Sequence, residues 1–96
     1  MLFVVIAQDK DGAEPVRAAN RPAHFEYVKK MGMVRLGGPF LAPDGETMTG
    51  SLIVLEAPDL DAAQACMNDD PYVKAGLFQS MEIRPWKQTF GGMKEV

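Results

Sequence analysis

Several residue types that build common functional sites are scarce in this 96-residue chain. It contains one cysteine, Cys66, and one histidine, His24. A single cysteine cannot form an intrachain disulfide, and one histidine cannot supply a zinc site built from several imidazoles or thiolates. We therefore expect neither a structural disulfide nor a bound metal.

Long apolar runs and clusters of basic residues are also missing. The longest N-terminal apolar run, residues 2–7, is too short for a membrane span, and no basic residue precedes it as in a signal peptide. The 10 basic residues are scattered and are outnumbered by 13 acidic ones, which disfavours a surface for nucleic acid or anionic lipid. We expect a cytoplasmic protein that binds neither nucleic acid nor a membrane.

The composition that is present is that of a folded globular protein. Hydrophobic residues make up 47% of the chain and charged residues 24%, and no repeat or low-complexity segment divides it. We predict a single domain over residues 1–96, with a polar, glycine-containing tail at 87–96.

Hydrophobic patterning predicts four strands and two helices. The strands are expected at about residues 2–8, 33–41, 47–56 and 77–86, and the helices at about 13–31 and 59–68. Apolar residues occupy consecutive positions in the first and third strands, which is typical of strands buried on both faces. Pro22, just after Asn20, predicts a break in the first helix, and Gly37-Gly38-Pro39 predicts a bulge or bend in the second strand.

The order βαββαβ predicts an α+β, ferredoxin-like fold. In this fold an antiparallel sheet carries both helices on one face, and the first and third strands lie in its centre. Both central strands are apolar on their second face as well, and the chain has no further element to cover it. We therefore predict a homodimer through that sheet face, forming a dimeric α+β barrel.

One face of the first helix carries the residues best suited to chemistry. Arg17, Arg21 and His24 are spaced by four and three residues, so a continuous helix places them on one side. Imidazole suits proton transfer near neutrality, and the arginines suit an anionic ligand. Alternatively, the arginines are solvated or pair with Asp11 and Glu14, and His24 packs as an ordinary helix residue.

Asp70 also has two possible roles. Because it precedes Pro71, its backbone is held extended, and a carboxylate fixed in this way can orient an imidazole. Equally, Asp70 is suited to cap a one-turn helix that begins at Pro71 and ends at Gly76.

Two further segments offer groups to a ligand. Gly38 and Pro39 allow close approach of the backbone, and Ser51 offers a hydroxyl at the start of the third strand. Glycine pairs in strands are commonly bulges, and the spacing is not that of a phosphate-binding loop. Ser51 acting as a nucleophile would require His24 as its base.

The chain resembles the YciI-like (YCII-related) family over about residues 2–86. The resemblance is carried by an ordered set of segments: Arg21-Pro22-Ala23-His24, Gly37-Gly38-Pro39, Thr49-Gly50-Ser51, Asp69-Asp70-Pro71-Tyr72 and Ile83-Arg84-Pro85-Trp86. It implies a dimeric α+β barrel in which a helix histidine faces the aspartate of the Asp-Pro-Tyr segment, here His24 and Asp70. It also points to relatives that act on small aromatic or lactone-like compounds, including a dehydrochlorinase of chlorinated hydroxyquinols.

With the resemblance, the sequence favours an enzyme without metal or cofactor, either a lyase such as a dehydrochlorinase or an isomerase. Asp70 would orient His24 as the proton-transferring group, with both as catalytic residues. The expected substrate-binding residues are Arg17, Arg21, Gly38, Pro39, Ser51 and Tyr72. The alternative is a non-catalytic dimer that binds a metabolite or assists a larger enzyme. Convergence of His24 and Asp70 on one concave pocket would favour catalysis.

Overall fold

A computed structural model describes residues 1–92, which contain four strands and three helices. The strands are β1 (Leu2–Asp9), β2 (Val34–Leu41), β3 (Met48–Glu56) and β4 (Phe78–Trp86), and the helices are α1 (Glu14–Met31), α2 (Leu60–Asn68) and α3 (Pro71–Lys74). The sheet order is β2-β3-β1-β4, with every neighbouring pair antiparallel. The predicted ferredoxin-like α+β fold is confirmed, with β1 and β3 in the centre. Residues 87–92 of the predicted tail form no helix or strand, and residues 93–96 lie outside the described residues.

The hydrophobic core lies between one face of the sheet and the helices. Alternate residues of β1 point to it, and Phe3 and Val5 are buried there beside Leu55 of β3. Ala63 and Met67 of α2 complete this cluster. Burial of these side chains provides the main hydrophobic stabilisation of the fold.

The opposite face of the sheet is apolar and carries no helix in the described part of the chain. We call it the outer sheet face. It is formed by residues of β1, β2 and β3 whose side chains point away from the core, and these are Leu2, Val4, Ile6, Leu36, Phe40, Leu52 and Val54. Ile6, Leu36 and Phe40 are exposed on it. A contiguous apolar surface of this kind is typical of a protein–protein interface.

Helix α1 is continuous, so the predicted break near Asn20 is wrong. Pro22 lies inside the helix and lacks an N–H, so it costs one backbone hydrogen bond without interrupting the following turns. Asn20 does not cap a second segment, because its side-chain Nδ2 donates to the carbonyl of Val16 at 2.9 Å. The helix ends at Gly32, whose φ of 66° is the left-handed conformation expected of a C-cap.

The irregularity predicted at Gly37-Gly38-Pro39 lies at other positions of β2. These three residues pair in register with Ile53, Leu52 and Ser51 of β3, and the register shifts lie instead between Val34 and Leu36 and between Phe40 and Leu41. Pro39 is tolerated within the ladder because β2 is an edge strand, where a missing N–H leaves no neighbouring strand unpaired.

Helix α2 begins as predicted. The side chain of Asp59 accepts a hydrogen bond from the backbone N–H of Ala62 at 2.8 Å, which satisfies one of the free donors of the first turn. None of the helices in residues 1–92 combines the length and the apolar composition that a membrane crossing requires.

Candidate active site

His24 and Asp70 are 46 positions apart in sequence and lie in direct contact. Nδ1 of His24 is 2.9 Å from each carboxylate oxygen of Asp70. The side chains are 12% and 3% exposed, so the pair is shielded from solvent on most sides. When the Asp70 carboxylate accepts a hydrogen bond from Nδ1–H, Nε2 of His24 is the unprotonated nitrogen. Nε2 is then the atom of the imidazole that can take up a proton.

Asp70 makes both of the contacts that the sequence analysis treated as alternatives, the cap of α3 and the contact with His24. Its extended backbone, with φ of −64° and ψ of 131°, places it as the N-cap of α3, with Pro71 at the first helical position. One carboxylate oxygen accepts from the backbone N–H of Tyr72 at 2.9 Å and also contacts His24. The cap therefore fixes the carboxylate in the orientation that the imidazole requires.

The ring of Tyr72 packs against one face of the His24 imidazole. Its ring stacks on that of His24 with centroids 4.1 Å apart and planes at 15°. The guanidinium of Arg17 lies 4.9 Å from the centre of the same ring, within range of a cation–π contact. Tyr72 is itself buried with Leu77 and Ala13, so the ring against which His24 rests is firmly packed.

A pocket of about 430 Å³ opens beside His24 between α1, β2 and β3. All six residues predicted to bind substrate line it, and these are Arg17, Arg21, Gly38, Pro39, Ser51 and Tyr72. Asp70 lies behind His24, outside the lining. Apolar side chains, among them Phe25 and Val28, form much of the remaining wall. This combination of an apolar cleft and a few convergent polar groups suits a small organic ligand.

Arg17 forms a buried ion pair with Asp9, which the sequence did not predict. Its Nε and one terminal nitrogen donate to the two carboxylate oxygens of Asp9 at 2.8 and 2.9 Å, and the terminal nitrogen also donates to Oγ of Ser51 at 2.9 Å. Burial alone would lower the pKa of Arg17, but the hydrogen bonds and charge of Asp9 outweigh it and raise that pKa. Neither Asp11 nor Glu14 is the partner of Arg17.

Arg21 is placed differently. It lines the pocket, and its terminal nitrogen lies 3.1 Å from the sulfur of Met48. The ion pairs among residues 1–92 give it no carboxylate partner. Arg21 is therefore better placed than Arg17 to meet a negatively charged ligand directly.

Three other potentially reactive side chains have no contact with His24 that would support catalysis, and these are Cys66, Tyr27 and Ser51. Cys66 lies in the core, where burial raises the pKa of its thiol. Burial and a hydrogen bond with Cys66 likewise raise the pKa of Tyr27. Ser51 contacts Arg17 rather than His24, which gives no support to a serine nucleophile. The described residues contain no group of three His, Cys, Asp or Glu side chains that could hold a metal ion.

The buried pair of Asp9 and Arg17 leads to a first prediction. Arg17→Met leaves a buried carboxylate without its partner, and we expect the free energy of unfolding to fall by about 3–5 kcal/mol. Arg35→Met is the matched control, because Arg35 pairs with Glu56 at 2.7 Å with both side chains about half exposed. Its cost should stay below about 1 kcal/mol. Denaturant unfolding of both variants measures the difference, and equal losses would contradict the assignment.

Asp9 is the main functional-site residue that sequence reasoning missed. The available signal was the two-residue period of side-chain direction in a strand, which places Asp9 on the same face as Phe3, Val5 and Ala7. A charged residue on a buried face requires a partner of opposite charge, and Arg17 on the adjacent helix provides it. Arg35 and Met48 also line the pocket and were not predicted.

Comparisons with known proteins identify the sequences that this chain resembles. Residues 1–87 match the family model of the YCII-related domain. The chain is 36% identical to Protein YciI of Escherichia coli, over 94% of this chain and 100% of that protein. It is 31% identical to an uncharacterised protein of Haemophilus influenzae with the same coverage.

The solved structures include one with substantial sequence identity. It is the 5-chloro-2-hydroxyhydroquinone dehydrochlorinase of Burkholderia phenoliruptrix in complex with 2,5-dihydroxybenzoquinone, with 33% identity, a TM-score of 0.83, and coverage of 93% of this chain and 96% of that one. A cofactor-independent oxygenase of Streptomyces nogalater matches with 12% identity and a TM-score of 0.57, over 95% of this chain and 96% of that one. The second match supports the fold alone.

Proposed function

The chain belongs to the family of proteins with a YCII-related domain, and from this premise we propose that it is a small enzyme without a cofactor. Its reaction would be proton transfer on a small hydroxylated aromatic or lactone-like compound, with His24 and Asp70 as the catalytic pair. The observation that carries this proposal is the contact of His24 with a fixed, buried carboxylate at the wall of a pocket. Structural roles for a helix histidine do not require that arrangement.

The catalytic step assigned to His24 is the uptake of a proton from a substrate hydroxyl. Nε2 would accept the proton while Asp70 stabilises the resulting imidazolium through Nδ1. Arg21 would stabilise the phenolate or enolate that forms. The remaining predicted binding residues would shape the pocket around the ring.

The similarity to a dehydrochlorinase suggests how such proton transfers complete a reaction. A chlorinated trihydroxybenzene becomes a hydroxyquinone by net loss of HCl. One hydroxyl proton moves to the ring carbon that bears chlorine, chloride leaves with the electron pair of the C–Cl bond, and a second hydroxyl proton is released. The oxidation of the ring is balanced by the departure of chloride, so the step needs no external oxidant. A histidine that can accept and return a proton is sufficient for it.

The proposed working form is a homodimer through the outer sheet face. Ile6, Leu36 and Phe40 are exposed there although the face is apolar. A second cleft, of about 410 Å³, lies on the same side between Leu36 and Phe90. Because a two-fold axis brings the same face of a second copy onto this one, a single interaction covers both apolar surfaces.

The proposal is tested with two substrates under anaerobic conditions in D2O. With 5-chloro-2-hydroxyhydroquinone we expect the wild-type protein to release chloride, and with 2-hydroxyhydroquinone to exchange ring hydrogen for deuterium. His24→Gln should lower both rates by at least about a hundredfold, as followed by ion chromatography and mass spectrometry. Glu26→Gln, at an exposed position of the same helix and outside the pocket lining, is the control and should keep both rates near those of the wild type. Equal rates in the wild type and His24→Gln would contradict an enzyme of this type.

A further inference from the structure

The Asp9, Arg17 and Ser51 cluster forms a second polar side of the pocket. Ser51 lies on β3 and is 4% exposed, like Arg17. It lines the same pocket as His24 but comes from the opposite side of the site, on the sheet rather than on α1. A buried hydroxyl normally has a hydrogen-bond partner both for its oxygen and for its proton.

The hydrogen bonds determine which role is left to the Ser51 hydroxyl. Arg17 can only donate, so Oγ of Ser51 accepts the hydrogen bond between them. The hydrogen bonds of the described residues give the Ser51 proton no acceptor. Ser51 therefore retains a donor while its oxygen is bound to a cation, and a cationic partner makes a hydroxyl a stronger donor.

Asp9 explains why Arg17 acts through Ser51. The bidentate contact with Asp9 holds the Arg17 cation in place and fixes the plane of its guanidinium. An anionic ligand would have to compete with a buried carboxylate for this arginine. The serine hydroxyl, in contrast, is free to meet the ligand.

We propose that Ser51 donates a hydrogen bond to the substrate oxygen that carries the negative charge once His24 has removed a proton from the substrate. Arg17 and Asp9 act as positioning residues for Ser51. The inference rests on the function proposed above and assigns the group that stabilises the anion from the sheet side. It predicts a ligand class with an acidic hydroxyl or an enolisable carbonyl. A donor already held in place stabilises the developing charge without reorganisation.

The test uses 4-nitrocatechol, whose phenol and phenolate forms differ in visible absorption. The pH at which half of the bound compound is ionised reports directly on the stabilisation of its anion. Ser51→Ala should raise this midpoint by about one pH unit, because a hydrogen bond to a charged oxygen is lost. Ser51→Thr keeps the hydroxyl and should retain the wild-type midpoint. Ser80→Ala, at the exposed second serine of the chain, is the matched control.

The outcomes separate this inference from the proposed function. If Ser51 only supports the packing of Arg17, Ser51→Ala weakens binding at every pH and leaves the midpoint unchanged, which would overturn the assignment. The exchange assay with His24→Gln tests the catalytic pair independently. Loss of exchange in His24→Gln together with an unchanged midpoint in Ser51→Ala would reject the serine and keep the proposed function. A shifted midpoint supports the serine as the donor, whatever the exchange assay shows for His24.

Discussion

Asp70→Asn is expected to lower the rate of the proposed proton transfer by about a hundredfold or more while the protein remains folded. Asparagine is as good an N-cap as aspartate, so the backbone N–H of Tyr72 keeps an acceptor and the free energy of unfolding should change by less than about 1 kcal/mol. The amide carries no charge, so the imidazolium formed when His24 accepts a proton loses its stabilising partner. Ring-hydrogen exchange and denaturant unfolding of the same preparation measure the two effects.

Helix α2 supplies the control for this experiment. Asp59 caps it through a side-chain contact to a backbone N–H, as Asp70 does in α3, but no histidine lies against Asp59. Asp59→Asn should therefore leave both rate and stability near their wild-type values. Asp70→Ala removes the cap as well and should cost about 1 kcal/mol more than Asp70→Asn. Identical rates for the two asparagine variants would leave Asp70 as a cap alone.

Most of the fold was accessible from the sequence because its strands carry strong local signals. Runs of consecutive apolar residues in the first and third strands predicted that β1 and β3 lie in the centre of the sheet, and the sheet order confirms this. The errors arose where tertiary context outweighed local preference. Pro22 predicted a break that α1 does not make, since the helix loses one hydrogen bond and continues.

The site was harder to predict, because the apolar residues of α1 do not mark its most buried position. The helix was predicted from the period of Val16, Ala19, Ala23, Tyr27, Val28 and Met31. The first three are exposed and Tyr27 packs partly buried against the core, whereas Arg17 is the residue that α1 buries. An ion pair joins residues from different elements, so its existence depends on the packing of α1 against β1. Helical periodicity cannot reveal that packing. For the same reason sequence reasoning treated the cap and the contact with His24 as alternatives, whereas one carboxylate makes both contacts.

Ile6→Lys is expected to convert the proposed homodimer into a monomer. Ile6 lies in the middle of the outer sheet face, paired across the sheet with Leu52 and Glu82, and is 42% exposed in the single chain. A lysine there can extend into water in the monomer and lies opposite the carboxylate of Glu82, so the isolated chain should tolerate it. In the dimer the same ammonium would be buried in both copies, at several kcal/mol each.

Sedimentation at low micromolar concentration distinguishes these states. The wild type should sediment as a dimer, and Ile6→Lys as a monomer, with a dissociation constant raised by at least about a thousandfold. Met31→Lys is the matched control: Met31 is 40% exposed, and it ends α1 on the helical side, where a lysine also favours the helix dipole. It should remain dimeric. A folded wild-type monomer under these conditions would contradict the interface, since the outer sheet face would then be stable in water without a partner.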